Sequence, residues 1–227
     1  MSKHLPKYLA EFIGSFALIF FACGASTIDG GLGTLGIGLV FGAVIMVMIL
    51  ATGHISGAHF NPAVTIAFAL TNRFRWSQVP FYILAQSLGC IAGAFLLSSI
   101  VNDPTTTLGL TQPVDTVSVN SLCLIEFSIT FILMFVISSV ATDSRAVGEL
   151  AAVAIGGCVA ISAMVFGPLT GAGMNPARSL GPAVATDNYE HLIFYIVAPI
   201  LGAILGAIFY SKIRCDDETP SNASGCC

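Results

Sequence analysis

The sequence predicts an all-α membrane protein: six transmembrane helices plus two re-entrant half-helices, arranged as an inverted three-plus-three repeat. Three observations predict it. Of the 227 residues, 56% are hydrophobic and only 9% are charged, and the mean hydropathy is +0.90, so charges are too few to clothe a soluble globule. Six apolar runs have the length needed to cross a bilayer. An internal duplication, finally, places the same Asn-Pro-Ala tripeptide in each half. The net charge of -4 leaves no basic face for nucleic acid. The seven cysteines (Cys23, Cys90, Cys123, Cys158, Cys215, Cys226 and Cys227) are odd in number and scattered, which fits neither a disulfide framework nor a metal set. The first four lie in apolar stretches and read as small buried thiols.

The spans are Tyr8 to Thr27, Leu32 to Thr52, Val79 to Val101, Leu122 to Val140, Leu150 to Phe166 and Leu192 to Tyr210. Each holds roughly 17 to 23 residues, enough for a ~30 Å hydrocarbon core at about 1.5 Å per residue. The first run follows Lys3 and Lys7 but is too long for a signal peptide and carries Glu11, so it is read as a span.

Basic residues set the expected orientation. Lys3, Lys7, Arg73, Arg75, Arg145, Lys212 and Arg214 fall in the two tails and in the second and fourth connections, all on one side of a six-span chain. The opposite connections hold Asp29, Asp103, Asp115, Asp187 and Glu190, and Arg178 is their only basic residue. A multi-pass cell-membrane protein with both termini cytoplasmic is expected.

The duplication runs from end to end. Glu11, Phe12 and Phe16 recur as Glu126, Phe127 and Phe131; Gly42, Gly53, Gly57, Asn61, Pro62 and Ala63 recur as Gly156, Gly167, Gly171, Asn175, Pro176 and Ala177; Gly89 and Gly93 recur as Gly202 and Gly206. Three spans per half are an odd number, so the second half enters the membrane from the opposite side. Inverted repeats build a pathway or site at the midplane between their halves. The expected organisation is a tail over 1–7, one membrane domain over 8–211 (repeats 8–102 and 122–211, linker 103–121) and a tail over 212–227.

Gly53 to Leu70 and Gly167 to Ala183 are too short to span and too apolar for ordinary loops. Asparagine caps helices and proline suits their first turn. Each segment therefore reads as a strand-like descent followed by a half-helix, and the two half-helix N-termini would meet in mid-membrane. Non-helical backbone at that depth must be buried in protein or line a wet cavity. Twin Asn-Pro-Ala motifs in register with a duplicated Glu-Phe and followed by Arg178 resemble the aquaporin, or major intrinsic protein, family over nearly the whole chain. GAHFNPAVTIA and GPLTGAGMNPARSLGPA are most similar to its nodulin-26-like branch and the bacterial relatives of that branch.

The resemblance implies a passive channel for water and small neutral solutes (glycerol, urea, or neutral metalloid acids such as arsenous, boric or silicic acid) that excludes protons and ions. It implies no enzyme activity, cofactor or metal, and a homotetramer in the lipid bilayer. Asn61 and Asn175 would donate hydrogen bonds to the permeant, and the backbones of Gly57, Ala58, His59, Gly171, Ala172 and Gly173 would offer carbonyl acceptors. Glu11 and Glu126 lie near the starts of their spans, where each fits an interfacial carboxylate; by resemblance each braces a re-entrant loop. His54 and His59 read as packing residues, since no ligand cluster accompanies them. By resemblance the outer constriction comprises Arg178, Phe41 (20 before Asn61), Ala163 (15 before Arg178) and Ala172 (6 before Arg178). Water-selective channels usually carry histidine at the position of Ala163. Glycerol facilitators usually carry aspartate where this chain has Ser179, with an aromatic at one of the alanine positions. The two alanines imply a wider, less polar opening than in the water-selective type, and neither type fits.

A secondary transporter also uses inverted repeats, but no carboxylate accompanies the Asn-Pro-Ala pair to carry a coupling ion. A strictly water-selective pore is the other alternative. The connection from Asn102 to Asn120 either lies over the outer mouth or is a solvated linker. The tail after Lys212 reads as disordered; its Asn222-Ala223-Ser224 acceptor is expected to go unused, and its cysteines to be idle thiols.

Overall fold

The computed structural model describes residues 4–28, 30–143, 146 and 148–214. Lys3, Asp29, Arg145, the tail cysteines Cys215, Cys226 and Cys227, and Asn222 to Ser224 lie outside the described residues. Eight helices carry the fold: α1 (Leu5–Thr27), α2 (Gly33–Ser56), α3 (Pro62–Leu70), α4 (Val79–Val101), α5 (Val119–Thr142), α6 (Ala151–Thr170), α7 (Pro176–Thr186) and α8 (Leu192–Ile213). All except α3 and α7 are long and apolar enough to cross a membrane. The shortest expected span, from Leu150 to Phe166, is a 20-residue helix, Ala151–Thr170.

Glycine positions set the packing. A Cβ on Gly42 would overlap the Gly156 carbonyl oxygen, and one on Gly156 would overlap that of Gly42. The two residues are each other's counterparts in the repeat, so α2 and α6 touch where the pseudo-two-fold axis passes. Gly89 on α4 meets the Phe12 carbonyl of α1, and Gly202 on α8 meets that of Phe127 on α5 in the same way. Small residues allow this close helix approach where lipid offers no hydrophobic drive between helices. The half-helices are exchanged between repeats: α3 packs on α8 of the second half and α7 on α4 of the first. Outward faces present large apolar side chains such as Leu35, Leu124, Ile161 and Phe209, as a lipid-facing surface requires.

The descents differ from the strand-like entry expected. Helix α2 continues through Ser56 and α6 through Thr170, and each ends on a left-handed glycine, Gly57 (φ 88) and Gly171 (φ 78). The next four residues of each descent alternate in hand, with positive φ at Ala58 and Phe60, and again at Ala172 and Met174. Left-handed geometry costs an L-residue about 1–2 kcal/mol, so the conformation must be imposed from outside the segment.

Helix α1 contains a π-helical stretch at Leu18–Cys23. Nothing in this uniformly apolar run signals the change of winding.

Candidate functional site

Two buried carboxylates accept hydrogen bonds from the two descents. Glu11 is fully buried and accepts hydrogen bonds from Ser56 Oγ (2.7 Å), His59 N (2.9 Å), Phe60 N (2.7 Å) and Gln86 Nε2 (2.8 Å). Its counterpart Glu126, also fully buried, accepts from Thr170 Oγ1 (2.8 Å), Gly173 N (3.0 Å) and Met174 N (2.8 Å). A buried carboxylate supplies strong acceptors to backbone N–H groups that no helix satisfies. Behind them, Tyr82 Oη donates to the Ser56 carbonyl at 2.8 Å and Tyr195 Oη donates to that of Thr170.

Each asparagine side chain both caps its own half-helix and reaches across to the other descent. Asn61 accepts from Ala63 N (2.9 Å) and donates through Nδ2 to the Met174 carbonyl (2.8 Å). Asn175 accepts from Ala177 N (3.0 Å) and Arg178 N (3.2 Å), and donates to the Phe60 carbonyl (2.8 Å). Capping oxygens thus hold the N-termini of α3 and α7, and the amide nitrogens tie each half-helix to the other descent. One N–H of each amide remains. Pro62 and Pro176 occupy the first helical positions, where a missing N–H costs nothing.

A cavity of about 110 Å³ runs between the halves. At one end it reaches Ala141 and Ala151, where α5 ends and α6 begins; at the other it reaches Phe41 and Arg178. Asn61, Asn175 and the backbones of Gly57, Ala58, His59, Ala172 and Gly173 line it. Ile45, Ile49, Val64, Leu133, Ile155 and Val159 make an apolar wall. Ala63, Ala163 and Ala177 are buried in the core nearby without lining the cavity, and Gly171 caps α6 beside it. His54 lies in the last turn of α2. The His59 ring packs against Phe68, Phe74 and Tyr82, with Nδ1 3.1 Å from Thr65 Oγ1.

Arg178 is 3% exposed. Its Nη1 donates to the Gly109 carbonyl at 2.7 Å, its guanidinium carbon lies 5.2 Å from the centre of the Phe41 ring, and Nε has no hydrogen-bond partner among the described residues. Gly109 is the residue that sequence reasoning missed. It sits in the 102–118 connection, which folds inward, burying Leu108 and Thr111 and donating from Val114 N to the Leu169 carbonyl at 3.0 Å. The contact is made by a backbone carbonyl, and side-chain chemistry carries no signal for it.

Six membrane-length helices, two half-helices meeting at paired asparagines and a cavity between the halves define a transmembrane channel. Residues 1–210 match the family model for the major intrinsic protein, and the chain belongs to that family. Among curated relatives, it is 46% identical to aquaporin NIP3-1 of Oryza sativa subsp. japonica over 216 residues, covering 93% of this chain and 69% of the relative. Aquaporin NIP1-1 of the same plant is 49% identical over 214 residues (92% and 75%), and aquaporin NIP6-1 of Arabidopsis thaliana is 46% identical over 220 residues (94% and 71%). The aquaglyceroporin of Plasmodium falciparum superposes with a TM-score of 0.81 at 25% identity, covering 93% of this chain and 97% of that one. The protein is a multi-pass membrane channel for water and small neutral solutes, passive and not enzymatic. The transporter alternative falls with this assignment.

Proposed function

We propose that the channel passes neutral solutes larger than water, of the class of glycerol, urea or neutral metalloid acids, while rejecting protons and ions. The observation that carries this reading is the small side chain of Ala172 lining the cavity at its Phe41 and Arg178 end, with Ala163 buried in the same core cluster. Neither position supplies the histidine or aromatic ring that would narrow and polarise the opening.

Selectivity then follows from the rest of the path. The backbone oxygens of Gly57, Ala58, His59, Gly171, Ala172 and Gly173 act as successive acceptors, and the spare N–H groups of Asn61 and Asn175 act as donors. A neutral hydroxyl or amide solute exchanges its water for these groups at little cost. A cation meets Arg178 and then two helix N-termini, each equivalent to roughly half a positive charge, which is the general logic of aquaporin-type pores. Glu11 and Glu126 brace the descents. The domain spans residues 8–211 in two repeats joined by 103–121; the channel sits in the cell membrane with both termini cytoplasmic and assembles as a homotetramer.

Stopped-flow swelling of proteoliposomes in glycerol, urea and boric acid gradients tests the reading. Flux of at least one of these solutes well above that of empty liposomes supports it. Permeability to water alone overturns it in favour of a strictly water-selective pore.

A further inference from the structure

A cleft of about 870 Å³ opens at the end of the molecule where α1 begins and α3 connects to α4. Lys7, Arg73, Arg75, His4 and Trp76 line it, and among the described residues its wall holds no carboxylate. The side chains of Lys7, Arg73 and Arg75 are exposed, and among the described residues none of the three has an ion-pair partner. The cleft is built on tied elements: Tyr8 Oη donates to Gln78 Oε1 at 2.7 Å, and Arg73 Nη1 donates to the Thr142 carbonyl at 3.2 Å. The first joins α1 to the start of α4, and the second joins the connection to the end of α5.

Three cations that line one concave site and have no ion-pair partner among the described residues call for an anion. What lies beside the cleft selects the kind. Trp76 is 54% exposed, and below it on α4 Phe81 and Leu84 present exposed apolar side chains to the bilayer. An indole at a membrane boundary favours the headgroup level. The surface is thus continuous from a cationic cleft to an apolar helix face, which matches an amphiphile with a phosphate at one end and acyl chains at the other.

We infer that this cleft binds the headgroup of an anionic phospholipid, with Lys7, Arg73 and Arg75 around the phosphate and the acyl chains along α4. Binding a lipid here would clamp the α3–α4 connection to the start of α1 and, through Arg73, to the end of α5, beside the Ala141 end of the channel cavity. Each basic side chain near an anionic surface strengthens binding by about fivefold, and salt weakens the effect.

Trp76 is the only tryptophan in the chain, so its fluorescence reports on the cleft directly. The test is titration of the full-length protein in neutral detergent with short-chain phosphatidylglycerol, phosphatidylcholine or inorganic phosphate at low salt. Phosphatidylglycerol alone should give a saturable emission shift, and the Arg73→Gln/Arg75→Gln double variant should weaken it by roughly 25-fold. Lys212→Gln, a basic residue of α8 outside the cleft, should leave the affinity unchanged. Equal response to phosphatidylcholine, saturation by inorganic phosphate, an unaffected double variant, or equal weakening by Lys212→Gln would each overturn the assignment. Circular dichroism and water flux of the double variant show whether it is folded; if it is not, Lys7→Gln, expected to weaken binding about fivefold, serves in its place. The readout is independent of which solute the channel conducts.

Discussion

The side-chain amide of Asn61 donates to the backbone carbonyl of Met174 at 2.8 Å, and Asn175 returns the same bond to Phe60 at 2.8 Å. Each half-helix is therefore positioned by the other repeat's descent, and the midplane junction is a reciprocal clasp. Replacing either asparagine by alanine removes a helix cap, about 1 kcal/mol, and leaves a buried carbonyl unpaired, about 1–3 kcal/mol. Asn61→Ala and Asn175→Ala should lower stability by similar amounts, roughly 2–4 kcal/mol each. Unfolding of the purified protein in detergent measures this, and strongly unequal losses would count against a reciprocal clasp.

Glu126 takes three donors onto its two oxygens. Glu126→Gln turns one oxygen into an amide NH2 that points donor against donor at the descent. A loss of about 2–4 kcal/mol is expected from the broken buried network, with reduced water flux in proteoliposomes. Unaltered stability and flux would show that the carboxylate does not hold the segment.

Adjacent glycines on α6 should respond in opposite directions. A Cβ on Gly156 strikes the Gly42 carbonyl, whereas one on Gly157 meets nothing within 4 Å. Gly156→Ala should destabilise by about 1–3 kcal/mol through overpacking, and Gly157→Ala should stabilise by up to about 1 kcal/mol through helix propensity. Paired thermal unfolding curves decide the matter.

Introducing a ring at the constriction tests the proposed solute class. Ala163→His should lower glycerol and urea flux more than water flux, since a larger polar side chain narrows the opening for the bulkier permeant first. Swelling assays on the variant and parent, run with water and each solute, give the ratio. An unchanged ratio would remove Ala163 from the filter.

Arg178 is held between the Gly109 carbonyl and the Phe41 ring. Arg178→Ala deletes a fixed positive charge and releases the Gly109 carbonyl of the 102–118 connection. Solute flux should rise several-fold, and proton leak should become measurable with a pH-sensitive dye inside liposomes. A proton-tight variant would place the cation barrier at the helix N-termini alone.

The spans, the inverted repeat and the two asparagine-proline caps were all legible in the residue order. Bilayer thickness dictates the length of an apolar run, and capping acts within three residues of its own helix, so both effects leave a local signature. Glu11 shows where that legibility stopped: its position fitted an interfacial carboxylate equally well, and only the fold shows it accepting bonds from Ser56, His59, Phe60 and Gln86. The strand-like descent was misread for a related reason. Ala58 and Phe60 have no intrinsic preference for positive φ, and the amides of His59 and Phe60 in this descent donate to a carboxylate 48 and 49 positions earlier in the chain.

The sequence by itself determined a six-span inverted repeat with two asparagine-proline helix caps, Asn61-Pro62 and Asn175-Pro176. The tertiary structure alone decided the exchange of half-helices between repeats, the touching of Gly42 and Gly156, and the anchoring of Arg178 by Gly109. Those contacts are made largely by backbone atoms across long sequence separations. A carbonyl is the same in every residue, so its role is written in the packing and not in the letter.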